Sequence, residues 1–483
     1  MTGLTKNLTK NPPRALRAWT VTLAGIGSLL CALDVVVVST ALPSLRTDLG
    51  ASLSDLEWTI NAYNLAFAAL MLTGAALGDR FGRRRMFAGG VAVFTLASVA
   101  AALSDGVGQL IVARVVQGAG AAVMLPLTLT LISEVFLAEK RGVAIGLWGG
   151  IGGLGVAAGP VLGGAVTEGM SWEWIFWLNV PLGAVMIPLA LLKLRESRGP
   201  RPQLDLVGQV LVVAGLLGLA WAPARAPVVG WGSGEVLGSF AVGAALVTAF
   251  LWWERRARYP MLPLRYFRRR GFSAANGAIF LMCVSLFGSL FLISQLFQIG
   301  LGHSPMDAGL RILVWTATPL IVAPIAGALA DRYGNRPFMF TGLLLQAGGL
   351  AAMAALTGPD VGYGTLVTPL IVAGVGISMV FPTAANAVTS AVPSADAGVA
   401  AAVNTALREL GGVFGIAIAA VVFARNGSYA TPGSYIDGFV PALWVTAVAA
   451  AVGAGAAAFV PPKSKPQQEV RRSATPEAVA VRT

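Results

Sequence analysis

After the second long apolar run the chain reads AALGDRFGRRR, residues 75–85, and after the tenth it reads GALADRYGNRP, residues 327–337. The strings agree at Ala76/Ala328, Leu77/Leu329, Asp79/Asp331, Arg80/Arg332, Gly82/Gly334 and Arg84/Arg336. Both copies follow an apolar run at its same end, so the agreement points to a duplicated unit. Membrane transporters are often built from such repeats, with the binding site where the halves meet. The position of the second copy also counts helices. Two six-helix halves in tandem would place it after the eighth run. It follows the tenth, so two extra spans, 206–224 and 236–253, are expected between the halves.

Composition agrees with a lipid environment. Of 483 residues 56% are hydrophobic and only 12% charged, with mean hydropathy +0.74. A soluble domain carries about 25% charged residues, so this chain has too little polar surface to cover a water-soluble globule. One span needs roughly 20 apolar residues. The sequence divides into about fourteen such runs: 18–43, 57–78, 86–103, 108–134, 143–166, 175–193, 206–224, 236–253, 273–297, 309–330, 338–357, 365–388, 397–423 and 437–459. An all-α polytopic membrane protein of two six-helix bundles and two extra central helices is therefore expected. The first run exceeds a signal-peptide core, contains Asp34 and leads straight into another span, so it is read as retained.

Net charge is +12. The Lys and Arg residues sit in short runs between apolar segments and not on one soluble face, which argues against nucleic acid and for loops beside anionic lipid. Arg14 and Arg17 precede the first span, and Arg83, Arg84 and Arg85 follow the second. Lys140 and Arg141, then Lys193, Arg195, Arg198 and Arg201, follow the fourth and sixth. Arg265, Arg268, Arg269 and Arg270 follow the eighth, Arg332 and Arg336 the tenth, and Lys463 and Lys465 the last. Alternate loops hold little beyond Arg46, Arg225 and Arg425. Excess Lys and Arg stays in the cytoplasm, so both termini are placed there. The chain then divides into a cytoplasmic tail 1–17, an N-terminal six-helix bundle 18–200, the extra helices with a basic linker 201–270, a C-terminal bundle 271–459 and a tail 460–483. Both tails are polar, contain proline and are expected to be disordered. Cys31 and Cys283 lie in apolar runs, so no disulfide is expected, and a lone His303 excludes a histidine metal cluster.

With these features the chain resembles the major facilitator superfamily, and within it the fourteen-span drug:proton antiporters. The Gly-x-Leu-Ala-Asp-Arg-x-Gly-Arg loop is that superfamily's signature. The second copy keeps its glycine as Gly327, whereas the first has Ala75 there and Gly74 one place early. The resemblance covers residues 18–459. It implies that the loop is a cytoplasmic latch, a role carried to Asp79, Gly82, Arg83, Asp331 and Gly334. Physically, Gly82 suits a left-handed helix end, and Asp79 is placed to accept from a helix N-terminus or to pair with Arg83. The plainer alternative is a solvated basic loop that only fixes topology.

Asp34, Arg114 and Glu409 are charged residues deep inside spans. Asp34, in CALDVVVVSTALP, costs about 2.5–3.5 kcal/mol at bilayer depth and so needs a cavity or a partner. The family's matching Leu-Asp-x-x-x-Val string carries an acid implicated in proton coupling or in binding cationic drugs. Arg114, in LIVARVVQGAGAA, cannot shed its charge and falls in the same outer half of the bilayer, so an Asp34–Arg114 partnership is sterically reasonable. Its string matches the family's Arg-x-x-Gln-Gly motif through Gln117 and Gly118, to which proton transfer is attributed. Glu409, in NTALRELGGVFG, again implies a cavity or a partner. Adjacent helical residues point about 100° apart, so pairing with Arg408 is expected to be poor. For Asp34 and Glu409 a structural hydrogen bond inside the bundle stays open.

Span five reads GLWGGIGGLGVAAGPVLGG, residues 146–164. Gly155, Gly159 and Gly163 share one face and permit close backbone approach, and Pro160 removes a helical donor. Together with Gly146 and Gly164 they match the family's antiporter signature, which implies export. Trp172, Trp174 and Trp177 in SWEWIFWLNVP read as an interfacial belt. Trp58, Tyr63 and Phe381 could line a drug pocket through cation–π contacts or simply pack.

The resemblance thus implies a monomeric exporter of a drug or antibiotic in the bacterial inner membrane. Its partners are protons and lipid, it needs no cofactor, and the proton gradient supplies the energy. No phosphate-binding loop string indicates ATP. A proton-coupled uptake symporter for a small solute is the alternative. A membrane enzyme has no catalytic constellation in its favour.

Overall fold

Long apolar runs broken by Gly, Pro and short charged strings leave the chain little choice but helices, because only closed hydrogen-bonding satisfies a backbone in lipid. The computed structural model describes residues 13–136, 138–199, 205–258, 260, 262, 264–393 and 397–462. The two expected disordered tails therefore fall mostly outside the described residues, as do Arg201, Lys463 and Lys465. The helices are α1 (Arg14–Leu49), α2 (Leu53–Phe81), α3 (Arg83–Ala102), α4 (Val107–Val135), α5 (Ala138–Gly169), α6 (Trp174–Trp177), α7 (Asn179–Lys193), α8 (Leu206–Val229) and α9 (Gly234–Glu254). They continue as α10 (Arg270–Gln295), α11 (Pro305–Thr316), α12 (Thr318–Tyr333), α13 (Asn335–Leu356), α14 (Tyr363–Ser390), α15 (Ala397–Asn426) and α16 (Pro432–Ala457).

Among the described residues, twelve helical segments are long and apolar enough to cross a membrane. Helix α2, bent by 51°, brings the number to thirteen. The remaining segment of the fourteen-run reading falls on α8, whose apolar stretch, Leu206–Ala222, is shorter. The tenth run is broken between Thr316 and Thr318, just before Pro319, so α11 and α12 together make one span.

The duplication seen in the loop strings recurs in the packing. Within the first half α1 lies on α5, α2 and α3 on α4, and α3 on α7; within the second, α10 lies on α15, α12 and α13 on α14, and α13 on α16. The halves meet in two matching seams, α5 against α11 and α15 against α2. The fifth span of each half thus meets the second span of the other, as a pseudo-twofold requires. Helices α8 and α9 pack on each other, and α8 bridges α2 and α15 at the second seam. Gln209 of α8 donates to the Ala69 carbonyl at 2.8 Å and meets Thr73.

Candidate functional site

At one end the halves are apart and at the other they touch. A cavity of about 2530 Å³ opens at the end that carries Arg83, Glu134, Arg255 and Arg268. Its deeper wall comes from both halves: Cys31, Val35, Tyr63 and Phe67 from the first, Phe381, Arg408 and Glu409 from the second. The far end is closed by backbone contact. A Cβ on Gly309 would run into the Pro160 carbonyl, and one on Gly164 into the Pro305 carbonyl. Polar bonds join the same edge. Glu168 accepts from Ser304 Oγ at 2.6 Å and from the Met306 N–H at 2.9 Å, and Gln298 donates to the Thr40 carbonyl at 2.9 Å. The Arg46 guanidinium lies 4.0 Å from the centre of the Tyr429 ring.

The span-five glycines therefore work on two partners. Gly155 and Gly159 face α1, where added Cβ atoms would fall 2.8 Å from the Leu29 carbonyl oxygen and 2.7 Å from Val36 Cβ. Gly163 meets Thr40 in the same way. Gly164 and the Pro160 carbonyl instead face α11 of the other half, while Gly146 has open space around it. Only small residues let the α1 and α5 backbones come this close.

Beside the cavity, and separated from it by Tyr63 and Cys31, lies a polar cluster built by five helices of the first half. Arg114 on α4 is fully buried and Asp34 on α1 is 3% exposed. Arg114 Nη1 donates to Asp34 Oδ2, and also to Gln117 Oε1 at 2.6 Å, while its Nε donates to the Thr59 carbonyl of α2 at 2.9 Å. The other Asp34 oxygen accepts from Gln117 Nε2 at 2.7 Å and from Asn179 Nδ2 of α7 at 3.0 Å. Ser98 of α3 accepts from Gln117 at 2.9 Å. The Tyr63 ring centre sits 4.4 Å from the guanidinium carbon. A charge pair this deep is tolerable only because most of its lone pairs and protons are used; Arg114 Nη2 and the hydroxyl of the neighbouring Tyr63 are left without a protein partner among the described residues.

Structure and sequence differ at several points. Asp34 and Arg114 come together, but neither lines the cavity, so Asp34 meets a partner and not open solvent. The sequence reading missed Ser98 and Asn179; the available signal was one of two hydroxyls in the run 86–103 and a lone carboxamide in the run 175–193. Arg408 and Glu409 do pair, against expectation: Arg408 Nε and Nη2 donate to Glu409 Oε1 at 3.0 and 2.7 Å. The long guanidinium arm bridges the 100° between neighbouring side chains, because both face the same cavity. Trp58 does not line the cavity; it packs on Trp221 of α8, ring centres 5.8 Å apart. Tyr63 and Phe381 do line it, and Arg408 lies 5.9 Å from the Phe381 ring centre. Of the three tryptophans, Trp174 is exposed, whereas Trp172 is buried edge-on against Phe176 and belongs to the core.

At the loop signature Arg83 pairs with Asp79 at 2.8 Å and also reaches Glu134 at the end of α4. The Arg83 N–H donates to the Ser197 carbonyl at 2.9 Å and the Gly199 N–H to the Asp79 carbonyl at 3.2 Å. Gly82 has φ 107° and ψ 127°, positive as expected but outside the left-handed helical well, a conformation that requires glycine. Gly334 repeats it at φ 91° and ψ 162°. The Asp331, Lys140 and Arg141 side chains lie outside the described residues. Cys31 and Cys283 are buried free thiols.

Against known proteins, the family profile of the Major Facilitator Superfamily matches residues 24–415 and again 278–482. The tetracenomycin C resistance and export protein of Streptomyces glaucescens is 34% identical over 449 residues, 92% of this chain and 83% of that protein. The puromycin resistance protein of Streptomyces alboniger is 33% identical over 454 residues, 91% and 90% of the two chains. The crystal structure of a D-xylose–proton symporter superposes with a TM-score of 0.66 at 17% identity, covering 92% of this chain and 98% of that one, a likeness of fold alone. The duplicated halves, the paired seams and these matches together place the chain in the major facilitator superfamily of membrane transporters.

Proposed function

We propose that the protein exports a drug or antibiotic across the bacterial inner membrane in exchange for protons, by alternating access. The observation that carries this reading is the cavity walled by both halves, open at the end rich in Lys and Arg and closed at the other. With the basic loops in the cytoplasm, it is an inward-open chamber large enough for a drug-sized molecule. Its deep lining sets aromatic and aliphatic side chains such as Val35, Tyr63, Phe67 and Phe381 beside Arg408 and Glu409, with further charged residues gathered at the mouth, which suits a largely apolar, aromatic cargo that also carries polar groups. Relatives named for antibiotic resistance and export favour outward transport, as does the glycine signature on α5.

Coupling is assigned to Asp34. With Asp34 ionised, its charge balances Arg114 and the five-helix cluster is satisfied. A proton on Asp34 removes that balance and leaves a guanidinium buried without a counter-charge, so the cluster must rearrange. An inward proton gradient then drives cargo outward by mass action, because the two states differ in proton affinity. The Asp79–Arg83–Glu134 contact is the latch in this scheme. The uptake symporter shares the fold but not the relatives' export names.

Inverted membrane vesicles test the direction. Export predicts that the cargo enters the vesicles and that their lumen becomes more alkaline as it does. Movement of cargo and protons in the same direction would overturn the proposal.

A further inference from the structure

Three polar side chains on α2 take no part in the cavity or in the Asp34 cluster. Glu57, Asn61 and Asn64 follow the i, i+4, i+7 spacing that puts them on one helix face. They are 2%, 3% and 0% exposed. Asn61 Nδ2 donates to Glu57 Oε1 at 3.3 Å. Asn61 Oδ1 and both polar atoms of the Asn64 side chain have no protein partner among the described residues. Buried carboxamides left unbonded are costly, and natural structures keep few of them without a reason.

The flanking residues show where this face points. On one side Leu56 and Ile60 join the apolar cluster that holds Val37 of α1 and Leu290 of α10. On the other, Leu65 and Ala69 pack with Leu216 and Ala220 of α8 and Val413 of α15. The polar stripe between them is directed at the seam where α2 meets the second half. Glu57 lies one turn from the α2 N-terminus, in the half of the seam that is closed. When the halves part at that end, this face is what they uncover.

We propose that Glu57, Asn61 and Asn64 form a ligand-release site on the outer half of the transport path, sealed in the present state and opened to the outside in the next. The stripe runs about 10 Å along the helix. It offers one carboxyl and two carboxamides, hydrogen-bonding groups of both kinds, to a small molecule carrying donors and acceptors. A proton alone would need only the carboxyl; the two unbonded carboxamides, which do not titrate, mark a ligand. The inference rests on the export reading for its direction but not for its first test.

That test is thiol accessibility. In a chain with Cys31→Ala and Cys283→Ala, Asn61→Cys and Asn64→Cys are exposed to a membrane-impermeant methanethiosulfonate outside intact cells, with Asp55→Cys at the α2 N-terminus as control. The reaction is repeated after cross-linking Glu168→Cys to Ser304→Cys with a short bifunctional reagent, which locks the closed end. We expect Asp55→Cys to react in both states, and Asn61→Cys and Asn64→Cys to react at least tenfold more slowly once locked. The proposal is overturned if both stay unreactive while Asp55→Cys reacts, or if locking changes nothing. A second arm replaces both asparagines by leucine and follows efflux of whichever of ethidium, puromycin and tetraphenylphosphonium the unaltered protein exports. The release site predicts efflux slowed at least fivefold, and an unchanged rate sinks it. Export of none of the three, with labelling as expected, counts against the export reading and leaves the site standing.

Discussion

Asp34→Asn isolates the charge from the shape. Asparagine matches aspartate in size, so the cluster can close around it without a void. What changes is the bonding. The two carboxylate oxygens accept from Arg114, Gln117 and Asn179, whereas a carboxamide offers one acceptor and a donor that must face a donor. Arg114 is then buried with no counter-charge, and breaking one side of a buried pair costs about 3–5 kcal/mol. If the pair forms in only one transport state, that loss moves the equilibrium between states by roughly two to nearly four orders of magnitude. Coupled efflux in proteoliposomes should fall to background, with protein still inserted at normal levels. The reasoning also predicts that Arg114→Gln on top of Asp34→Asn restores part of the melting temperature, because the orphaned charge goes with it. Two outcomes would refute it: full proton-coupled efflux by Asp34→Asn, or melting shifts that add within about 0.5 kcal/mol in the double variant. Either would reduce Asp34 to a structural hydrogen-bond acceptor.

Other perturbations separate the two ends of the path. Gly164→Ala drives a methyl into the Pro305 carbonyl, so the closed end should be strained by about 1–3 kcal/mol; external labelling of Gln298→Cys should then quicken, and an unchanged rate would show that the contact gives way freely. Arg83→Ala removes the bonds to Asp79 and Glu134 and should slow transport about tenfold, with Arg83→Lys recovering part of it. Full activity in the alanine variant would mean an ordinary surface ion pair, worth about 0–1 kcal/mol. Trp58→Ala should lower thermal stability by up to about 3 kcal/mol through lost packing on Trp221, with half-saturation of transport unchanged. Tyr63→Ala, which opens the wall between cavity and cluster, should shift half-saturation severalfold, and equal effects from the two would contradict their placement.

What the sequence made legible follows period and charge. Repeated loop strings, apolar run lengths and basic loops are local signals, and they sufficed for the helices and the duplication; of the two spans expected between the halves, α9 has the length and α8 carries a shorter apolar stretch. The Asp34–Arg114 partnership was also within reach, because a charge in lipid must find another and these two sit at similar depth. The hidden features are those that depend on which way a helix is rolled. Nothing local says that Trp58 faces α8 while Tyr63, five residues on, faces the cavity, or that Trp172 turns inward. Arg408 and Glu409 show a second limit: spacing rules describe Cβ directions, whereas a long guanidinium reaches across them. Ser98 and Asn179 were overlooked for a third reason. Each is unremarkable alone and becomes part of a site only when α3 and α7 bring it to one carboxylate.

The two ends of the path are built on different physics, and this bears on how the proposed proton coupling would control them. At the far end the halves meet through backbone, Gly164 at Pro305 and Gly309 at the Pro160 carbonyl, supported by a handful of neutral or capping bonds. Contacts of this kind depend on shape and barely respond to protonation, Glu168 being the acid among them. At the open end, the paired Asp79, Arg83 and Glu134 of the first half and Arg265 and Arg268 just before α10 line the cavity, so closing it brings charges from the two sides together. Under that coupling a proton on Asp34 would touch neither end directly. It would act on α1, which carries the surface into which Gly155, Gly159 and Gly163 of α5 are fitted. Helix α5 in turn holds Gly164 and Pro160 against α11. A change in the Arg114–Asp34 bond would therefore be passed to the far seam through this glycine-fitted interface, which has little slack to absorb it.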